Sequence, residues 1–323
     1  MDLLKSITEP IDGELGCFKK YFSSLMDTDD SGLAVLLDCL KTRNGKMLRP
    51  ILALLIGKYY GFPSDGIYNV AASMELLHTA SLIHDDVVDN SMLRRGNPSF
   101  NAVFDNKMAI LFGDYVVGLS LEEMAKTGNV GNVARLSSLS KTLSSGEIAQ
   151  LGIRSSLELS EDNYFDIIYR KTASLFSTAA YLAAFVSGAA TSEAETFSEF
   201  GRLAGLCFQI RDDIFDYLPT EGLGKPSGID MKEGKITLPA IYALNTSDLD
   251  WSDTVRDIRN CVATDDQIKA VAEYSIEHGG IQYADNRMHE LAAQALELLP
   301  YNMSDTLREA FSDYIELLIR RER

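Results

Sequence analysis

The stretch Ser81-Leu82-Ile83-His84-Asp85-Asp86-Val87-Val88-Asp89 decides how this chain is read. An apolar run with helical spacing ends in carboxylates, and Asp85 and Asp89 stand four residues apart. On a helix those two lie one turn apart on the same face. The pattern returns as Cys207-Phe208-Gln209-Ile210-Arg211-Asp212-Asp213-Ile214-Phe215-Asp216. Carboxylates set among apolar residues are costly unless a cation neutralises them. Mg²⁺ suits such a site, because it takes one or two carboxylates and completes its shell with water and phosphate oxygens. One such motif alone also reads as a helix cap or a solvated face. Two copies at two helix ends point to two acidic walls across a cavity that holds a phosphorylated, otherwise greasy substrate.

Composition narrows the partners. The chain has 323 residues, 46% of them hydrophobic, enough for a substantial core and for one large helical domain over 1–323. Its net charge of −17 argues against nucleic acid and against an anionic membrane surface. Cys17, Cys39, Cys207 and Cys261 are scattered, without zinc spacing or a disulfide framework, and fit free thiols in a reducing compartment. The N-terminus lacks the order of a secretion signal, so a cytoplasmic location is expected. Between Lys171 and Glu193 no residue is charged. The small and hydroxylated residues in that run favour a buried helix over a membrane span.

Helical periodicity runs from end to end, and strand patterns are scarce. Helices are expected over Leu33 to Leu40, from Pro50 to near Gly61, over Asp65–Ser91, Lys107–Thr127, Gly131–Leu151, Ser160–Gly188 and Ser192–Tyr217, with three or four more to Arg323. Arg94 to Pro98 reads as a loop. Gly222 through Gly234 reads as a mobile active-site loop.

A phosphorylated substrate also needs cations. Lys46 and Arg49 stand just before a helix start, where free backbone N–H groups favour anions. Arg94 and Arg95 follow the first motif, and arginine forks suit phosphate oxygens. Lys171, Lys225 and Lys235 add charges nearer the second motif in sequence. His78 lies seven residues before Asp85 on the same helical face, placed to hydrogen-bond phosphate; His84 reads as structural.

Taken together, Gly45-Lys46-x-x-Arg49-Pro50, His78, Asp85-Asp86-x-x-Asp89, Arg94-Arg95-Gly96, Lys171-Thr172, Gln209-x-x-Asp212-Asp213-x-x-Asp216, Gly224-Lys225-Pro226 and Glu233-Gly234-Lys235-x-Thr237-Leu238-Pro239 resemble the trans-isoprenyl diphosphate synthase family. The resemblance implies an all-α, isoprenoid synthase-like bundle around a central substrate cavity, and a homodimer. It implies that Asp85 and Asp89 hold two Mg²⁺ and Asp212 a third, with Asp213 and Asp216 in support. Arg94, Lys171 and Lys225 would clamp the diphosphate of an allylic substrate, assisted by Lys235. Lys46, Arg49, His78 and Arg95 would bind the diphosphate of isopentenyl diphosphate. Thr172 and Gln209 would face the reacting carbons. The implied activity is prenyl transfer by Mg²⁺-assisted ionisation.

Product length should follow from the helix before Asp85. Ala80 and Ser81 lie one turn below it, then Leu77, then Met74. Relatives that stop at short products carry bulky aromatics at the level of 80 and 81. Small residues there leave the floor open and favour a long-chain trans-polyprenyl diphosphate built on farnesyl or geranylgeranyl diphosphate. Rival readings are a short-chain farnesyl or geranylgeranyl diphosphate synthase, a terpene cyclase, and a non-catalytic partner subunit. A cyclase would not need the second cationic set, and a partner subunit should have lost some aspartates.

Overall fold

The computed structural model describes residues 3–41, 45–62, 66–94, 96–153, 156–218 and 228–320. The helices are α1 (Leu3–Thr8), α2 (Asp12–Ser24), α3 (Ser31–Lys41), α4 (Leu48–Tyr59), α5 (Gly66–Val88), α6 (Phe100–Phe104), α7 (Asn106–Lys126), α8 (Val130–Gly152), α9 (Glu161–Ile168) and α10 (Ser174–Val186). They continue as α11 (Thr191–Phe215), α12 (Ile229–Lys232), α13 (Leu238–Asn245), α14 (Ser252–Arg259), α15 (Asp265–Glu277), α16 (Gly280–Glu297) and α17 (Asp305–Arg320). The fold is all-α, as expected. Among the described residues the strands are β1 (Leu93–Arg94) and β2 (Asn97–Pro98), a short antiparallel pair where 94–98 was expected to be a loop.

Side-chain caps mark several starts. Asp105 accepts the Met108 N–H at 2.9 Å ahead of α7, Ser160 accepts the Asn163 N–H at 3.2 Å ahead of α9, and Thr264 forms a capping box with Gln267 at α15. Pro50 sits in the first turn of α4, where its missing N–H costs nothing.

Three expectations need correction. The stretch from Ser160 to Gly188 is not one uniform helix: α9 and α10 are joined by a π-turn over Tyr169–Ala173. After Gly234 the chain forms five helices, α13 to α17, because α13 and α14 are short and separated by a turn. The amino-terminal helices α1 and α2 and the short α6 escaped the periodicity reading.

By contacts, the chain divides into two compact units, each built from three segments. The first comprises Met1–Ser140, Thr178–Ser198 and Leu299–Tyr314. In it α5 and α7 pack antiparallel. Near one end a Cβ on Gly113 would collide with the His84 ring, so glycine permits the contact. Further along, Ser73 and Ser120 exchange bonds, each hydroxyl donating to the other residue's carbonyl at 2.8 Å. The second unit comprises Lys141–Ser177, Glu199–Leu298 and Ile315–Arg323. One apolar cluster there joins Tyr217, Met231, Leu244, Ile258 and Val271. No helix of the described residues is long and apolar enough to cross a membrane.

Candidate active site

In the first unit α5 ends at the first aspartate motif. Asp85 is half-buried and Asp89 exposed. Asp86, offset by about 100°, turns inward and is 4% exposed. Its Oδ1 accepts the Arg94 Nε–H at 2.9 Å and also an Nη2–H of the same guanidinium. The β1–β2 hairpin, turned at Gly96 (φ 76°), folds Arg94 back onto the helix end. Asn101 donates to the Asp86 carbonyl at 3.3 Å, and Ser99 donates to the Ser91 carbonyl at 2.7 Å. The sequence reading assigned no role to Asn101 or Ser99. A buried polar residue between two motifs is the only signal that marks them.

Lys46 is exposed, whereas Arg49 is only 7% exposed. Met47 between them is left-handed (φ 50°), a costly conformation for a side chain of that size. Tyr314 donates to the Leu48 carbonyl at 2.9 Å, and burial holds its phenol well above the ordinary range, with Arg49 and Glu75 acting on it electrostatically in opposite directions. His78 is half-buried. Arg95 and Lys225 lie outside the described residues.

The product-length residues sit on two different faces. Ser73 and His84 both touch α7, and Ala80, on the same stripe, is fully buried. Leu77 and Met74 are buried as well. Ser81 is half-buried and donates to the His78 carbonyl at 2.8 Å.

The second unit brings together five of the expected residues. Lys171, Thr172, Gln209, Asp213 and Lys235 line one cavity of about 140 Å³. Ile167, Ile168, Ile236 and Ile241 supply apolar wall. Lys171 and Thr172 lie in the π-turn, a distortion that often marks functional positions. Two glycines let neighbouring helices close on that turn. A Cβ on Gly146 of α8 would lie 3.2 Å from the Lys171 nitrogen, and one on Gly205 of α11 would lie 2.5 Å from the Ala173 Cα. Lys171 pairs with Glu147 at 2.8 Å and also donates to Gln150. Lys235 pairs with Glu233.

Asp213, again the second aspartate of its motif, is 4% exposed. It accepts from Tyr164 Oη at 2.7 Å and from Gln209 Nε2 at 2.8 Å. Thr172 Oγ1 donates to Gln209 Oε1 at 2.7 Å. Burial pushes the Asp213 carboxyl up to about 7, against the lowering effect of those hydrogen bonds, with Asp212 adding to the rise. Asp216 accepts the backbone N–H groups of Ile229 at 3.0 Å and Asp230 at 3.1 Å. It therefore caps α12. Asp230 lines the same cavity, and burial followed by the Asp213 and Asp216 charges pushes its carboxyl well above the usual range. The sequence reading missed Tyr164 and Asp230.

The donor set fits a hard divalent cation. Asp212, Asp213, Asp216 and Asp230 crowd negative charge that Lys235 offsets only in part. Among the described residues no three His, Cys, Asp or Glu side chains are grouped so as to hold a metal ion by themselves. Mg²⁺ tolerates that, since water and substrate phosphates fill the remaining positions.

A family model described as polyprenyl synthetase matches residues 31–276. The chain belongs to the polyprenyl synthetase family. It is a prenyltransferase. It is similar to octaprenyl diphosphate synthase of Haemophilus influenzae, 35% identical over 260 residues, 79% of each protein. Among solved structures, geranylgeranyl pyrophosphate synthase of Bacteroides thetaiotaomicron is 37% identical, with a TM-score of 0.86 over 99% of this chain and 100% of that one. A polyprenyl synthase from Caulobacter crescentus, complexed with calcium and isoprenyl diphosphate, is 29% identical with a TM-score of 0.89 over 98% of each chain.

Proposed function

We propose that this polyprenyl synthetase condenses isopentenyl diphosphate with farnesyl or geranylgeranyl diphosphate, and repeats the step to make a long-chain trans-polyprenyl diphosphate. The observation that carries the reading is the cavity where Lys171, Thr172, Gln209, Asp213 and Lys235 converge beside the second aspartate motif. Cations, cation-facing oxygens and aliphatic wall meet there, as ionisation of an allylic diphosphate requires.

Asp85, Asp89 and Asp212 would hold Mg²⁺, three ions per site by family resemblance, and the metal supplies Lewis-acid neutralisation of the departing diphosphate. Asp213 and Asp216 support the site by hydrogen bonding. Arg94, Lys171, Lys225 and Lys235 bind the allylic diphosphate; Lys171 and Lys235 exchange a carboxylate partner for phosphate oxygens when they do so, while Arg94 stays anchored on Asp86. Lys46, Arg49, His78 and Arg95 bind the diphosphate of isopentenyl diphosphate. The allylic C–O bond breaks, the alkene of isopentenyl diphosphate attacks the allylic cation, and a proton leaves to the departed diphosphate. Thr172 and Gln209 turn oxygen dipoles toward the cation. Ile167, Ile168 and Ile241 keep water from it.

The small side chains of Ala80 and Ser81 support growth past the farnesyl length. The exposed apolar residues Met108, Ile110, Leu111 and Leu121 of α7 support a homodimer. One folding domain is supported by unit boundaries that fall inside α8, α10, α11 and α17. The cytoplasm, with its free thiols and Mg²⁺, is the proposed location.

The test is incubation of purified protein with Mg²⁺, farnesyl diphosphate and labelled isopentenyl diphosphate, followed by sizing of the dephosphorylated products. A ladder beyond twenty carbons supports the reading. Products ending at fifteen or twenty carbons keep the chemistry and overturn the chain length. No incorporation by the protein alone sends the assignment to a cyclase or a partner-dependent subunit.

A further inference from the structure

We infer that Tyr164 is a positioning residue, which acts through Asp213 and Gln209 to fix the polarity that Thr172 presents to the cavity. The inference rests on the prenyl-transfer reading above.

The hydrogen bonds run in one direction. Asp213 accepts at both oxygens, from Tyr164 at Oδ2 (2.7 Å) and from Gln209 at Oδ1 (2.8 Å). An amide has one donating and one accepting end, so a carboxylate oxygen at 2.8 Å assigns the Gln209 NH₂ to that side. With Asp213 ionised, turning the amide over would set Oε1 against Oδ1, two acceptors with no proton between them. The Gln209 carbonyl is therefore left facing Thr172, whose hydroxyl donates into it at 2.7 Å. A threonine hydroxyl has one proton. With that proton committed, what Thr172 turns toward the cavity is lone-pair density. That is the sign required next to a developing carbocation; a free hydroxyl could equally point its proton there.

Tyr164 is what makes the arrangement a fixed one. It comes from α9, outside the helix that carries Gln209 and Asp213, and it is buried. Its bond to Oδ2 prevents the carboxylate from rotating away from Gln209. Burial, then the Asp213 charge, holds the phenol well above its ordinary range, so it stays a donor. Tyr164 is among the residues that line the cavity, but the scheme asks of it no bond to substrate or metal. Its contribution is orientation.

The test is a double-mutant cycle on the full-length enzyme with Mg²⁺, farnesyl diphosphate and isopentenyl diphosphate. Tyr164→Phe keeps the ring and removes the donor. It should lower kcat about tenfold while each KM stays within about twofold. Thr172→Val should lower kcat at least as far, and Tyr164→Phe placed on Thr172→Val should cost nothing more. Additive losses, an unchanged kcat, or a loss carried by KM would overturn the proposal. A second readout does not need turnover: the Gln209 side-chain amide NMR signals, assigned by their loss in Gln209→Glu, should shift in both single variants. If wild type fails to incorporate isopentenyl diphosphate, the condensation reading falls, and these signals still decide the relay. Shifts in both variants support it; signals unmoved in Tyr164→Phe overturn it.

Discussion

Asp86 and Arg94 form a buried-to-surface ion pair, with the aspartate 4% exposed and the arginine Nε–H donating to it at 2.9 Å. The first motif thus divides its labour: Asp85 and Asp89 share the outer face, while Asp86 holds the Arg94 guanidinium that we propose binds phosphate. Asp86→Asn should lower kcat/KM for the allylic diphosphate about ten- to a hundredfold, the loss expected for one charge-assisted contact. The Mg²⁺ concentration for half-maximal rate should hardly move. Asp85→Asn should raise that concentration clearly. Magnesium titrations of initial rate separate the two, and equal shifts would make Asp86 a metal ligand.

Close approach of α11 to the π-turn gives a sharper stability prediction. A Cβ at position 205 would lie 2.5 Å from the Ala173 Cα and 2.9 Å from its Cβ. Gly205→Ala should cost about 1–3 kcal/mol by overpacking and lower kcat by displacing Thr172. Gly16, in α2, is the control, since a Cβ added there would meet nothing within 4 Å. Gly16→Ala should be neutral or stabilising by up to about 1 kcal/mol. Thermal melts and rates of both variants check this.

Burial of Asp213 makes the metal-free protein pH-sensitive. A carboxyl raised from 3.8 to about 7 binds its proton more tightly in the folded state. Its stabilising contribution is complete below the unfolded value and is lost as pH rises through the folded one. In EDTA, wild type should lose stability relative to Asp213→Asn between about pH 4 and 7. Urea midpoints across that range would show the crossover, and parallel curves would contradict it.

Product length can be probed at two neighbouring positions with different costs. Ala80 is fully buried, so Ala80→Phe should destabilise the chain as well as shorten its product. Ser81 is half-buried, so Ser81→Phe should shorten the product with little loss of Tm. Product chromatography beside a melting curve distinguishes these effects. Full-length products from a stably folded Ser81→Phe would move the floor of the tunnel elsewhere.

Thiol reactivity should follow exposure. Cys17 and Cys261 are exposed, whereas Cys207 is buried, donates to the Met288 carbonyl at 3.4 Å, and has its thiol pushed up to about 12 by burial. A thiolate reagent at pH 8 should label Cys17 and Cys261 and leave Cys207 until the protein unfolds. Peptide mapping after native labelling gives the answer.

Much of the candidate site was legible because its chemistry is written locally. Carboxylates four apart, a proline in a first turn and arginines beside glycine carry their meaning within a few residues. Helix α5 was expected over 65–91 and spans Gly66–Val88; α7 and α8 fall within a residue of their expected limits. Tyr164 gave no such signal, since its partner Asp213 is 49 residues away. Nor did the π-turn, because Gly146 and Gly205, whose missing side chains admit it, stand on other helices.

The sequence by itself determined the helical class, the two aspartate motifs and the kinds of residue able to bind metal and diphosphate. Periodicity and charge are properties of neighbours along the chain. Only the tertiary structure decided which member of each aspartate pair turns inward, that Asp216 caps α12, and that Lys171 and Thr172 ride on a widened turn. Those outcomes depend on which distant donors arrive at 2.7–3.0 Å and on which backbones press against a glycine, and neither has an image in local spacing.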